Sequence, residues 1–322
     1  MSEESFADKN QYVVAPRVEA EEYPRTGFPL VYIIVLNWNG LEDTDECLDS
    51  LLKISYPNYV IVVIDNGSKI DEAKLIEDKY KGLIKTIRNS VNLGFVGGMN
   101  MGIKYSLKNG ADNILLLNND IVVDKEFLTG LVDIAEETPN AAMFGPKIYH
   151  YNNPRRYDPP LKIDYRKGRF HHIKLKRSPE DEKYRSVDWI SGCAMMIRAT
   201  AISKVGLLDP NFRIYTNDID YAERIRRAGY KVLWVPEAKI WHKLGASTKS
   251  VKKLHLKYDS LKSKLLFERK YAKRKELLIF LFYLIFNLIP RFTLKPFLSQ
   301  PIETLRMIFC LLLQRDFKPR MR

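Results

Sequence analysis

Uncharged apolar runs recur along the first 240 residues, and each breaks off into a polar turn. Val31 to Leu36 is rich in β-branched residues and ends in Asn37, Trp38, Asn39 and Gly40, the pattern of a strand buried on both faces. Leu41 to Ile54 follows at helical spacing, with Thr44 as a cap candidate, and Tyr56, Pro57 and Asn58 stop it. Tyr59 to Ile64 repeats the strand pattern and delivers Asp65, Asn66, Gly67 and Ser68 before a helix at 71–80. Ile84 to Ile87 is a short strand, after which a segment with glycines at 94, 97, 98 and 102 leads into a helix expected from about 99 to 108. Leu115 to Asp120, LLLNND, reads as a central strand ending in side chains that either turn the chain or chelate. Lys125 to Glu137 is a helix. This β-α-β-α order predicts an α/β fold with right-handed crossovers and a mostly parallel sheet flanked by helices.

Beyond Pro139 the rhythm changes. Ala142 to Tyr149 is a strand, and the proline-rich polar stretch 150–186 predicts a loose hairpin or insertion over the sheet. Val187 to Arg198 is an apolar strand interrupted by Ser191 and Gly192, and Ala199 to Val205 is a short helix closed by Gly206. Tyr215 to Tyr221 holds Asp218 and Asp220 ahead of a helix expected over Ala222 to Ala228, and strands at Tyr230 to Val235 and Ala238 to His242 complete the pattern. One acid at a helix start serves the dipole; two exceed what capping needs.

Charge divides the chain. Its 322 residues carry a net +13, yet residues 1–238 hold 32 Lys/Arg against 34 Asp/Glu, while 239–322 hold 20 against 5. The basicity belongs to the tail. Three widely separated cysteines, Cys47, Cys193 and Cys310, imply reduced thiols and no disulfide framework. The polar, acidic residues 1–29 read as a flexible leader, without the apolar core of a secretory signal. Three segments follow from this reading: the leader, an α/β domain over 30–248 in two halves (30–125 and 139–248), and a helical tail over 249–322.

Six stretches in order, IIVLNWNG at 33–40, VIDNGS at 63–68, NSVNLGFVGGMNMG at 89–102, LLLNND at 115–120, ISGCAMMIR at 190–198 and the segment 215–247, resemble the family 2 glycosyltransferases, in particular their rhamnosyltransferase-like branch. The resemblance implies a glycosyltransferase A-type (Rossmann-like) fold and inverting transfer from a UDP- or dTDP-linked sugar to a glycan or lipid-linked acceptor. It also implies Mn²⁺ or Mg²⁺ on the diphosphate. Carried over by position, Asp65 would bind the base, with Asn37 and Asn39 lining its pocket; Asn92, Gly94, Gly97, Gly98 and Asn100 would shape the nucleotide-sugar cradle. Asn118 and Asp120 stand at the two ends of the family's Asp-x-Asp motif, with Asn119 between them, and Asp120 and His242 would hold the metal. Asp218 stands where the catalytic base is found; Asn217 replaces the acid that usually precedes it. Trp189, Ser191 and Gly192 are expected on the acceptor side.

In the tail, a basic stretch with apolar residues at helical spacing (249–275) abuts the uncharged run Leu277 to Ile289, and an amphipathic piece follows at 302–313. Thirteen uncharged residues fall short of a membrane span. Two readings stand: a helical subdomain packed on the domain or on a second copy, leaving room for a homo-oligomer, and an interfacial anchor on anionic lipid at the cytoplasmic face of the cell membrane, peripheral or monotopic. A nucleic-acid-binding role for the tail is disfavoured, since few aromatics interleave its lysines. A catalytically degenerate sugar-nucleotide binder is the other rival, opposed by retention of Asp120, Asp218 and His242.

Overall fold

A computed structural model describes residues 27–165, 169–172, 182–212, 215–243 and 253–284. The leader up to residue 26, the 302–313 piece, Cys310 and the end of the apolar run at 285–289 lie outside these residues.

The β-branched runs form the centre of one large sheet. Strand β1 (Val31–Asn37) is followed by α1 (Leu41–Leu51), β2 (Tyr59–Asp65), α2 (Glu72–Tyr80), β3 (Lys85–Arg88), α3 (Gly94–Lys108) and β4 (Asn113–Asn118). β1 lies between β2 and β4, parallel to both, and β2 pairs in parallel with β3. Helices cover both faces of this half, so Val31 to Val35, Val62 to Ile64 and Leu115 to Leu117 are wholly buried. The expected parallel sheet ends at β4.

The remaining elements are β5 (Ile121–Val123), α4 (Phe127–Glu137), β6 (Ala141–His150), β7 (Asn153–Asp158), β8 (Leu161–Asp164), β9 (Arg169–His172), β10 (Arg185–Val187), β11 (Ala194–Arg198), α5 (Ala199–Val205), α6 (Asn217–Arg227), β12 (Lys231–His242), α7 (Lys253–Tyr271) and α8 (Arg274–Tyr283). The ten-stranded sheet runs β10-β12-β6-β11-β4-β1-β2-β3, with β5 beside β12 and β7 beside β6. β11 runs antiparallel to both β4 and β6, whereas β12 runs parallel to β6. The sheet is therefore mixed, because β11 is reached from the 150–186 insertion and re-enters the sheet against the direction of β4. The insertion folds β7 onto β6 and pairs β8 with β9.

Three boundaries differ from expectation. α3 begins at Gly94 rather than near residue 99, so Gly97, Gly98 and Gly102 lie on the helix. A Cβ at Gly98 would come within 2.4 Å of Leu36 Cδ1, and one at Gly102 within 2.5 Å of Ile34 Cγ2. These glycines let the helix lie against β1, a packing demand that reads in sequence as a loop. α6 begins at Asn217, with Thr216 left-handed (φ 70°) just before it. β12 is one strand with an irregularity between Val235 and Lys239 instead of two.

Of the two tail readings, α7 takes the packed one. Tyr258, Leu261 and Phe267 are buried, and Phe267 joins Ile163, Phe212 and Ile219 in a small core with Trp189 at its edge. No described helix is long and apolar enough to cross a membrane.

Candidate active site

The chemistry-bearing residues collect at the carboxyl ends of β1, β2 and β4, where open α/β sheets bind ligands. Asn37, in register with Asp65, is fully buried: its Nδ2 donates to Glu72 Oε2 (2.7 Å), and its Oδ1 accepts from Thr44 (2.9 Å). Glu72 Oε2 accepts also from Gly40 N (3.2 Å) and Ser68 Oγ (3.0 Å). Asn39, at φ 49°, accepts from Lys69 N and donates its own N–H to Ser68 Oγ, each at 2.9 Å. Asn119 Nδ2 donates to Thr44 Oγ1 (2.9 Å) and Gly40 O (3.3 Å). Asn37 and Asn119 thus brace the loops around the pocket from within.

Asp65 is fully buried at the end of β2. Its Oδ1 accepts from Ser68 N (3.1 Å), while its Oδ2 forms an ion pair with Arg88 Nε at 3.4 Å and makes no hydrogen bond among the described residues. A buried carboxylate oxygen held by an ion pair alone can accept from a further donor. The neighbouring Asn66 ties the glycine-rich segment down: its Nδ2 donates to Asn92 Oδ1 (3.1 Å) and Gly94 O (3.0 Å), and its Oδ1 accepts from Leu93 N (3.1 Å). Gly94 is left-handed (φ 72°), and its N–H is held by Asn92 Oδ1 (2.7 Å). Asn100 spans from α3 to the loop after α5 through paired bonds with Leu208, 2.9 and 3.0 Å.

Asp120 and His242 meet although 122 positions separate them, because β5 pairs with the last turn-in of β12 and places Ile121 opposite His242. His242 Nε2 lies 3.2 Å from Asp120 Oδ1, and Lys243 N donates to Asp120 O (3.0 Å). Asn118 stands half-buried at the end of β4, where its N–H donates to Cys193 O (2.9 Å).

Asp218 sits in the first turn of α6, half-buried, its Oδ2 accepting from Gly192 N and its Oδ1 from Ile219 N, both at 2.9 Å. Burial raises its carboxyl pKa to about 6, against the lowering pull of those backbone donors. A Cβ on Gly192 would come within 3.2 Å of Asp218 Cβ, so glycine lets this strand approach the acid. Cys193 follows. Its buried thiol is pushed up to about 12, first by desolvation and further by the charges of Asp120, Asp158 and Asp218. The short run Ser191 to Cys193 thus touches Asp218 through Gly192 and the end of β4 through the Asn118–Cys193 bond. Trp189 lies half-buried against Phe170, ring centroids 6.1 Å apart.

Asp220 does not face the site. It is buried, accepting from Lys270 Nζ (2.8 Å) and Tyr271 OH (2.6 Å) at Oδ1 and from Arg224 Nε (3.0 Å) at Oδ2. The second acid of this stretch therefore bolts α7 to the helix that carries Asp218. Sequence reasoning missed this role, as it missed Glu72, Asn66 and the pair of His150 Nε2 with Asp158 Oδ1 (3.0 Å). Only Asn66, beside Asp65 at a strand end, carried a local signal.

The mixed α/β sheet, with a carboxylate–histidine pair and a second acid at its strand ends, has a glycosyltransferase A-type-like architecture. The model of "Glycosyl transferase family 2" matches residues 32–206, more than half the chain, and the chain belongs to that family. Among curated relatives, the low-salt glycan biosynthesis hexosyltransferase Agl10 of Haloferax volcanii is 28% identical over 204 residues, 62% of each chain. Rhamnosyltransferase WbbL of Escherichia coli is 28% identical over 219 residues, 64% of this chain and 81% of that one. Among solved structures, GalNAc-T7 with UDP, GalNAc and Mn²⁺ superposes with a TM-score of 0.62 at 17% identity, over 79% of this chain and 50% of the other. The mannosyltransferase PcManGT from Pyrobaculum calidifontis, in complex with GDP-Man and Mn²⁺, gives 0.55 at 13% identity, over 90% and 75%.

Proposed function

We propose that the protein is an inverting glycosyltransferase that moves a hexosyl or deoxyhexosyl group from a nucleoside-diphosphate sugar onto a hydroxyl of a glycan or lipid-linked glycan. The observation that carries this reading is that Gly192 holds Asp218 while the next residue, Cys193, holds Asn118, two positions before Asp120 and its partner His242. In the reaction the acceptor oxygen attacks the anomeric carbon from the face opposite the leaving group. The bond from that carbon to the diphosphate oxygen breaks, and the nucleoside diphosphate departs with the electron pair. Asp218 takes the acceptor proton; a carboxyl raised to about 6 is still ionised at neutral pH and is a stronger base than an ordinary carboxylate. Asp65 Oδ2, ion-paired with Arg88 but without a hydrogen bond among the described residues, suits a base N–H of the donor. Asn37, Asn39 and Asn119 hold the surrounding loops, and Asn92 fixes Gly94 at the cradle's edge.

The donor set fits a hard divalent cation of the Mn²⁺ or Mg²⁺ type only in part. Asp120 and His242 supply one carboxylate and one imidazole, and no group of three or more such ligands occurs among the described residues. These two residues would hold the ion together with oxygens of the diphosphate, so its binding should depend on the nucleotide. When bound, the ion supplies Lewis-acid neutralisation of the departing phosphate.

The tail supports placement at a cytoplasmic membrane face. On α8, Leu278, Ile279 and Phe282 are 67%, 47% and 64% exposed, directly after Lys273, Arg274 and Lys275. A basic flank beside an apolar face suits anionic lipid.

A thermal-shift panel of UDP-, dTDP- and GDP-sugars with and without Mn²⁺ tests the central reading: one donor should stabilise the protein in a Mn²⁺-dependent manner and be slowly hydrolysed. No stabilisation by any donor would overturn it. Sedimentation with vesicles containing phosphatidylserine tests the tail, and equal recovery with neutral vesicles would remove the electrostatic contribution.

A further inference from the structure

A cavity of about 240 Å³ begins one residue away from the contact that holds Asp218, since Ser191 lines it and Gly192 binds the acid. Phe170 of β9, Trp189 and Trp234 of β12 supply aromatic walls, and Ile148 and Ile190 aliphatic ones. Against this apolar lining stands Asp158, at the end of β7. His150 holds its Oδ1 at 3.0 Å, and no other described residue hydrogen-bonds the side chain, which is 36% exposed. His150 itself is in register with His242, the partner of Asp120, and Ser191 directly precedes Gly192, which holds Asp218. Two lining residues are thus one contact removed from the acids of the site.

We infer that this cavity holds one neutral pyranose ring of the acceptor, an assignment that rests on the glycosyl-transfer reading above. A pyranose has a C–H face and a rim of hydroxyls. The aromatic and aliphatic walls suit the face, and the carboxylate of Asp158, oriented by His150, accepts from a rim hydroxyl. Charge decides against other occupants. Asp158 is the one charged residue of the described lining, so a phosphate or uronate there meets a carboxylate and no cation. Size decides as well: the volume lies below the ~300–1,000 Å³ of drug-sized pockets, room for a single ring and not for an oligosaccharide or a coiled acyl chain. An acceptor linked to lipid would thus enter by its terminal sugar, with its anionic linkage outside.

The test is saturation-transfer NMR on the full chain with methyl glycosides of hexoses, 6-deoxyhexoses, N-acetylhexosamines and glucuronic acid, without nucleotide. At least one neutral glycoside should show transfer to its ring C–H protons, and the glucuronide none. Asp158→Asn should weaken that glycoside's affinity about tenfold at an unchanged melting midpoint, and Trp189→Ala should abolish its signal. Absence of any neutral binder, equal binding of the glucuronide, or unaltered affinity in Asp158→Asn overturns the assignment. Because no donor is present, this outcome is independent of the nucleotide-sugar panel, whose failure would instead strike the reaction itself.

Discussion

The two halves of the site are built by opposite means. In the nucleotide half, side chains at the ends of β1 and β2 are held by neighbours on the adjoining loops, with Glu72 collecting Asn37, Gly40 and Ser68 and Asn66 collecting the glycine-rich segment. These partners lie within about one βα unit of each other, so the pocket is assembled as the parallel sheet forms. The base half adds a long-range fastening to its own local contacts with Gly192, Ile219 and Arg224. Asp218 opens a helix whose anchor, Asp220, is fastened by Lys270 and Tyr271 from α7, some fifty residues on. The matched family region ends at residue 206, so Asp218, the proposed base, and its fastening both lie beyond it. Donor binding is thereby made separable from base placement, and perturbations of the two halves should separate in their readouts.

The sharpest separation is Asp218→Asn. Transfer and hydrolysis should fall by about 10²–10⁴, the usual contribution of a positioned proton acceptor, while Mn²⁺-dependent donor affinity by calorimetry stays within a factor of about two. Turnover close to the parent's would remove Asp218 as the base. The parent's own pH profile offers the same test without mutation. With its pKa raised to about 6, Asp218 is lost as a base when pH falls through that value, so the rate should drop tenfold per unit below it and level off above about 7. The sign for stability is opposite: the folded state holds this proton more tightly than the unfolded chain, so the raised pKa costs stability as pH climbs from about 4 to 6.

Asp120→Ala breaks the other side of the comparison. Loss of one of two protein ligands should weaken Mn²⁺-dependent nucleotide binding by about 10- to 100-fold, with metal-free nucleotide affinity nearly unaltered. An unchanged metal titration would show that Asp120 serves only to orient His242.

How much of this could be read from residues alone follows the same division. The apolar runs of β1, β2 and β4 announced themselves, and so did the acids and amides at their ends, because burial on both faces leaves no polar residue until the strand stops. Gly98 and Gly102 misled, since a glycine needed for close packing against Leu36 and Ile34 looks the same in sequence as one needed for a loop. Glu72 looked like an ordinary first-turn acid of α2. The direction of β11 depended on how the 150–186 insertion returns to the sheet, which periodicity does not encode. Asp220 was noticed as one acid too many, yet two of its partners, Lys270 and Tyr271, lie on a helix whose lysines entered the reading only as charge of the basic tail.

The finest test applies small, matched changes to the two halves. Tyr271→Phe deletes one of three donors to the buried Asp220 carboxylate, leaving Lys270 and Arg224 in place; Glu72→Gln removes the charge of the acceptor that Asn37, Gly40 and Ser68 share. Each should cost about 1–2 kcal/mol in denaturant unfolding, since each weakens hydrogen bonds to a buried charged group without emptying the space. Their functional effects should diverge. Tyr271→Phe loosens the start of α6, so kcat should fall several-fold and the donor KM should hold, with Lys270→Arg, which keeps a cation at Asp220, milder than Lys270→Met. Glu72→Gln relaxes the loops after β1 and β2, so donor KM should rise several-fold while the acid limb of the pH profile stays near 6. If both variants shifted kcat and KM together by the same factor, the halves would be one cooperative unit, and the division drawn from their bracing would be wrong.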